Sequence, residues 1–129
     1  MKRILQVALI IVCGAGVMYS PVHGAAHGGE VDVVRVGVTR TAPGVYSFRV
    51  TLRHDDTGRD HYADRWEVQG AQGAVLVTRV LAHPHVDEQP FTRGLSGVAI
   101  AQGLSQVTIA AHDSVHGHGG IEMTVDLTE

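Results

Sequence analysis

The stretch His83-Pro84-His85 holds two imidazoles two residues apart about a proline. In an extended segment residues i and i+2 project from the same side, and the fixed proline φ stiffens the pair. Two rings held this way suit joint ligation of a divalent transition metal. His116 and His118 repeat the spacing beside Gly117, Gly119 and Gly120, whose backbone freedom lets a chain wrap an ion. His54, His61 and His112 bring the set to seven. Asp55, Asp56, Asp60, Asp64, Asp87, Glu88 and Asp113 lie among them, and a carboxylate beside an imidazole either ligates directly or orients the far ring nitrogen. Neutral imidazoles with carboxylates suit Cu²⁺ or Zn²⁺. The expected ligands are His83 and His85, joined by one or two of His54, His61, His112, His116 and His118. Thioether ligation of Cu⁺ is disfavoured, because Met123 is the one methionine beyond the amino-terminal apolar stretch.

The same residue types can pin loops through hydrogen-bonded Asp and His networks with no metal present. Seven or eight imidazoles gathered together would repel one another if protonated, which tilts the reading towards a metal. Two readings of other classes stay open: an exported interaction module that docks a periplasmic protein partner, and a small copper-dependent redox enzyme. The string Asp113, Ser114, His116 invites a hydrolase reading, but the sequence has no GxSxG elbow to present a nucleophile.

Elements must position these residues, and the periodicity is that of strands. Alternation with a period of two, bounded by Gly, Pro and Asp clusters, predicts seven strands, near 31–38, 45–54, 61–69, 75–82, 95–100, 105–112 and 120–127. In the second, Tyr46, Phe48, Val50 and Leu52 share one face while Ser47, Arg49, Thr51 and Arg53 take the other, as in an antiparallel sheet with one wet side. Tyr62, Trp66 and Val68 fall in phase in the third strand, and Ile121, Met123, Val125 and Leu127 in the last. A tryptophan in the third strand resembles the core tryptophan of immunoglobulin-like sandwiches. The expected fold is all-β, a seven-stranded immunoglobulin-like antiparallel sandwich. Tyr62, Trp66 and Phe91 are expected to pack in its core and rim, and Arg53, Arg59, Arg65, Arg79 and Arg93 to pair with neighbouring acids.

If consecutive strands run alternately up and down, their connections alternate between the two ends of the sandwich. Connections one, three and five (TRTAPG, GAQGA, AQGL) then share one end and contain no histidine. Connections two, four and six (DDTGRD, HPHVDEQPFTR, DSVHGHGG) share the other, with His54, His61 and His112 at the flanking strand ends and His27 near the start of the first strand. This topology therefore gathers the histidines at one end.

The chain opens MKR and continues LQVALIIVCGAGVM, with small residues at Gly24, Ala25 and Ala26. That is the pattern of a signal peptide over 1–26, preceding a single β-sandwich domain over 27–129, and it implies a periplasmic or secreted protein. Cleavage after Gly24 or after Ala26 would bring His27 close to a free amine, another Cu²⁺ chelate. Cys13, the one cysteine, follows Val12, a poor match to a lipoprotein processing site, so no thiol, disulfide or lipid is expected after cleavage. With Lys2 and Arg3 removed, ten basic residues fall to eight against thirteen acidic ones. That balance argues against nucleic acid or an anionic membrane surface as partner.

The strings DHYADRWEV, HPHVDEQPFTR and HDSVHGHGG together resemble a family of small exported bacterial β-sandwich proteins of unknown function, over most of residues 45–127. That likeness implies export and no particular activity. A weaker one, through size, export and His27, is to periplasmic copper-resistance proteins with an immunoglobulin-like fold and an amino-terminal histidine ligand. It implies a copper role. The late Asp-x-His pair of those proteins has only Asp113 and His116, at a different spacing, as its counterpart here.

Overall fold

A computed structural model describes residues 4–6 and 29–127. The expected cleavage site, Cys13 and His27 lie outside the described residues, as does most of the expected leader. The strands are β1 (Ile4–Gln6), β2 (Asp32–Ala42), β3 (Val45–Arg53), β4 (Ala63–Gln69), β5 (Val75–Val80), β6 (Phe91–Ala99), β7 (Gln106–Asp113) and β8 (Glu122–Asp126). One short 3₁₀ turn, Ala71–Gly73, interrupts the connection from β4 to β5. No helix among the described residues is long and apolar enough to cross a membrane.

Two sheets face each other. One has the order β2-β3-β6 and the other β1-β8-β7-β4-β5. Every pairing among β2 to β8 is antiparallel, and β1 lies parallel to β8. The seven strands expected from alternation are all present, with their ends moved. β2 continues to Ala42, which shortens TRTAPG to a turn at Pro43 and Gly44, where Gly44 adopts φ +74°. β6 begins at Phe91, four residues before the expected start, because Phe91 pairs with Leu52 and drops into the core.

The core forms where the alternation is cleanest. Phe48, Val50 and Leu52 of β3 are fully buried and meet Trp66 and Val68 of β4, Phe91 of β6 and Ile109 of β7. Burying a side chain of this size is worth about 1.5–3 kcal/mol, so this shared interior fixes the relation of the sheets. Met123 is half-buried and packs at the margin of the same core. Of the arginines expected to meet acids, Arg65 pairs with Glu67 and Arg93 with Glu88. Arg79 instead donates to the carbonyls of Gly94 and Val80.

The antiparallel order carries the connections β3–β4, β5–β6 and β7–β8 to one end of the sandwich, together with the start of β2. All seven expected ligands sit there, on those connections or at the strand ends beside them. Gly120 lets the last connection rejoin β8. A Cβ at that position would overlap the carbonyl oxygen of Val31, so the closing glycine is required by a backbone crossing.

Candidate metal centre

Asp113 ends β7 and is fully buried. Its Oδ1 accepts the backbone N–H groups of Val115 (2.7 Å) and His116 (2.5 Å), and backbone bonds between Asp113 and Gly117 close the turn, with Gly117 at φ +74°. The other oxygen, Oδ2, is buried without a hydrogen-bond partner. Three imidazoles surround this carboxylate: His54 Nε2 at 3.6 Å, His61 Nε2 at 3.5 Å and His116 Nδ1 at 3.5 Å. Those separations exceed the usual length of an N–H···O hydrogen bond. His61 Nε2 is also buried without a partner. One ligand atom from each of His54, His61 and Asp113 lies within 4.8 Å of the others. Such a set can hold a metal ion.

His54 is prepared by its neighbours. Its Nδ1 lies 2.5 Å from Asp56 Oδ1 and its backbone N–H donates to Gln89 Oε1. A carboxylate on Nδ1 fixes the ring's orientation and directs Nε2 towards a metal. Asp56 is itself immobilised, because Oδ1 also accepts from Ala63 N (3.0 Å) and Oδ2 from His85 N (2.7 Å). The carbonyl of Gly29, three residues before β2, accepts a hydrogen bond from His54 Nε2 at 3.1 Å, a bond that a metal at Nε2 displaces. A Cβ on Gly29 would collide with the His116 ring, so a glycine here lets the chain cross the site closely.

The other histidines form two further groups. The rings of His83 and His85 lie 4.8 Å apart at 39°, side by side as their spacing about Pro84 predicts. His83 is exposed, whereas His85 is buried and stacks on Phe91 at 3.9 Å. His112 and His118 meet edge to face at 5.0 Å, with His112 Nδ1 on Asp64 (2.7 Å), His118 Nδ1 on the Ala111 carbonyl (3.0 Å) and His118 Nε2 3.6 Å from Glu67 Oε1. His116 and His118 thus part company despite their spacing. His116 lies inside the turn closed between Asp113 and Gly117 and His118 just beyond it, which sends one ring to Asp113 and the other to Glu67.

The electrostatics follow the burial. Burial opposes charge on the His54 ring, but the Asp56 hydrogen bond and charge, the Gly29 carbonyl and the Asp113 charge together outweigh it and hold His54 above its ordinary value. Burial likewise works against the Asp56 carboxylate, yet the bonds from His54, His85 and Ala63 hold it below its ordinary range. Glu67 is also held down, because the bonds from Arg65 and Gln69 and the charges of His118 and Arg65 overcome its burial. His85 is pushed below its ordinary value by burial, then by the charges of Arg93 and His83, against the weaker pull of Asp56 and Glu88.

For the chelated protein these shifts predict two opposed pH limbs. The raised His54 contributes stability that is fully present below about pH 6.5 and is lost as pH rises through its folded value. The depressed His85 leaves the unfolded chain binding more protons below about pH 6.5, so its contribution is lost as pH falls towards its folded value. Asp56, depressed, contributes above its unfolded value near 3.9 and withdraws only as pH falls through its lower folded value. Urea midpoints in EDTA between pH 4 and 9 should therefore peak near pH 6.5. His85→Phe should flatten the acid limb and His54→Asn the alkaline one.

Several site features carry little sequence signal. Glu67 occurs in a strand whose buried phase is set by Trp66 and Val68, so alternation points it outwards; Arg65, Gln69 and His118 cover it there. Gln89 bridges His54 N and the His85 carbonyl, a role glutamine rarely announces. Gly29 contributes a carbonyl, which no residue type encodes.

No family model and no solved structure matches the chain. A "Putative lipoprotein" of Halomicrobium mukohataei is 40% identical over 97 residues, covering 75% of this chain and 47% of that protein. The chain therefore spans about half the length of the relative it matches.

Proposed function

We propose that this protein binds one divalent transition metal, Cu²⁺ or Zn²⁺, at the His54, His61 and Asp113 cluster, and that it works in the cell envelope in metal handling or buffering, without turnover. The observation that carries the reading is a pair of buried, unpartnered ligand atoms, His61 Nε2 and Asp113 Oδ2, on two residues that with His54 offer ligand atoms within 4.8 Å of one another. Buried polar atoms are nearly always satisfied, and a cation between them would satisfy both. The donor set is two imidazoles and a carboxylate, which suits these metals, and Asp56 behind His54 supplies the outer support such a ligand needs. His116, 3.5 Å from the same carboxylate, is the fourth ligand in this reading.

Export is supported by the pattern of residues 1–26 and by the name of the lipoprotein relative. A periplasmic protein that delivers or receives the metal is the partner this role implies. One specific observation favours a metal-free alternative, in which the cluster is a loop-pinning network: Asp56 and Asp113 each accept two backbone N–H groups. Calorimetric titration with Zn²⁺ at pH 7.5 separates the two. His61→Ala should weaken binding more than tenfold, a loss above 1.4 kcal/mol. Unchanged affinity in that variant, or no binding by the parent, would leave the network as the better account.

A further inference from the structure

His85 presents an anomaly that the first cluster does not absorb. Its side chain is 3% exposed, and both Nδ1 and Nε2 are buried with no hydrogen-bond partner. The ring has not been left loose. It stacks on Phe91 at 3.9 Å and 12°, its backbone N–H donates to Asp56 Oδ2 at 2.7 Å, and its carbonyl accepts from Gln89 Nε2 at 3.0 Å. A neutral imidazole offers one donor and one acceptor, and leaving both unused in the interior is costly. Rigid placement with empty nitrogens is what a ligand position requires.

We propose that His83 and His85 form a second position for a divalent transition metal, with the Asp56 carboxylate as its acidic ligand. Asp56 Oδ2 lies 4.0 Å from His85 Nδ1, too far for a hydrogen bond. The gap is about half an ångström wider than the roughly 3.4 Å between two ligand atoms of a tetrahedral Zn²⁺ bound at about 2.0–2.1 Å. A small closing movement brings the two atoms onto one ion. His83, whose exposed ring has its centroid 4.8 Å from that of His85, supplies the route from solvent and, by turning its side chain inwards, the third ligand. His83 Nδ1 lies 3.1 Å from the Pro84 carbonyl, so that nitrogen carries the proton and Nε2 is left with the lone pair. This position uses no ligand of the His54, His61 and Asp113 cluster. Asp56 touches both, through Oδ1 to the His54 ring and through Oδ2 to the second ion.

The test counts Zn²⁺ equivalents by equilibrium dialysis at pH 7.5, in the parent and in His83→Ala, His85→Phe and His61→Ala. His85→Phe keeps an aromatic ring on Phe91 while removing both nitrogens, and His83→Ala alters only an exposed side chain, so folding is preserved in at least one of the two. The parent should bind two equivalents. His85→Phe should bind one, His83→Ala should hold one equivalent at least tenfold more weakly, and His61→Ala should retain the equivalent that His85→Phe loses. A parent equivalent lost in His85→Phe but insensitive to His61→Ala supports this position while overturning the first cluster. A parent that binds one equivalent, lost in His61→Ala and unaffected by His83→Ala or His85→Phe, overturns this proposal and leaves the first intact; no binding at all overturns both.

Discussion

Zn²⁺ at a hundredfold excess over its dissociation constant should stabilise the parent by about 2.7 kcal/mol, which in a domain of this size raises the Tm by roughly 10–20 °C. Asp113→Asn is the sharpest control. The amide oxygen can still accept the Val115 and His116 N–H groups that Asp113 Oδ1 holds, so the turn survives, but the anionic ligand is gone. In this variant the Zn²⁺-dependent rise should lose the first cluster's share and keep only what the His83 and His85 position contributes, while the Tm in EDTA should stay close to that of the parent. The pH profile of the rise carries a second signature. A metal competes with protons for imidazole, and His54 is held above its ordinary value by Asp56, Gly29 and Asp113 against its burial. The rise should therefore begin to fade above pH 6.5 as pH falls, earlier than an unperturbed histidine would dictate. Thermal unfolding followed by circular dichroism, with Zn²⁺ and with EDTA, reads both effects.

Asp56→Ala should cost about 3–5 kcal/mol in EDTA, the range seen when one partner of a buried charged pair is removed. Three donors lose their acceptor at once: His54 Nδ1, Ala63 N and His85 N. Each orphaned buried donor costs about 1–3 kcal/mol, and the total is a large share of the 5–15 kcal/mol typical of a folded domain. Glu88→Ala offers the contrast. Its pairing with Arg93 at 3.3 Å is solvent-exposed, and such pairs are worth about 0–1 kcal/mol. Urea unfolding with the parent's m-value would show that the Asp56 loss is one of stability and not of cooperativity. Asp56 thus has a structural role before any metal binds, holding the β3–β4 connection to the β5–β6 connection.

Much of this was legible in the residues. Period-two alternation located all seven strands from Asp32 onwards, and the in-phase Trp66 and Val68 marked the core side of β4. The alternation of connections between ends placed the histidines together, a topological inference that needed no contact. What the sequence could not carry was the partition among them. His116 and His118 have the same spacing as His83 and His85, yet one pair divides and the other stays side by side. Proline stiffens the first pair in an extended segment, whereas Gly117, with φ +74°, reverses the chain between the others. Nor does any pattern reveal that Asp113, one acid among thirteen, has its side chain driven, like that of Asp56, fully into the interior. That follows from its place at the end of a buried strand, where a single carboxylate oxygen caps the turn and frees the other. The Gly29 carbonyl against His54 is beyond sequence reading, because it is a backbone atom of a connecting segment.

Anomalous diffraction at the zinc edge, from crystals of the Zn²⁺-loaded protein, addresses the central claim most directly. The account predicts a peak about 2.0–2.2 Å from His54 Nε2, His61 Nε2 and an Asp113 carboxylate oxygen, with His116 turned towards it. Density for water alone among these three residues, in crystals where zinc is present at other positions or in solution, would contradict it.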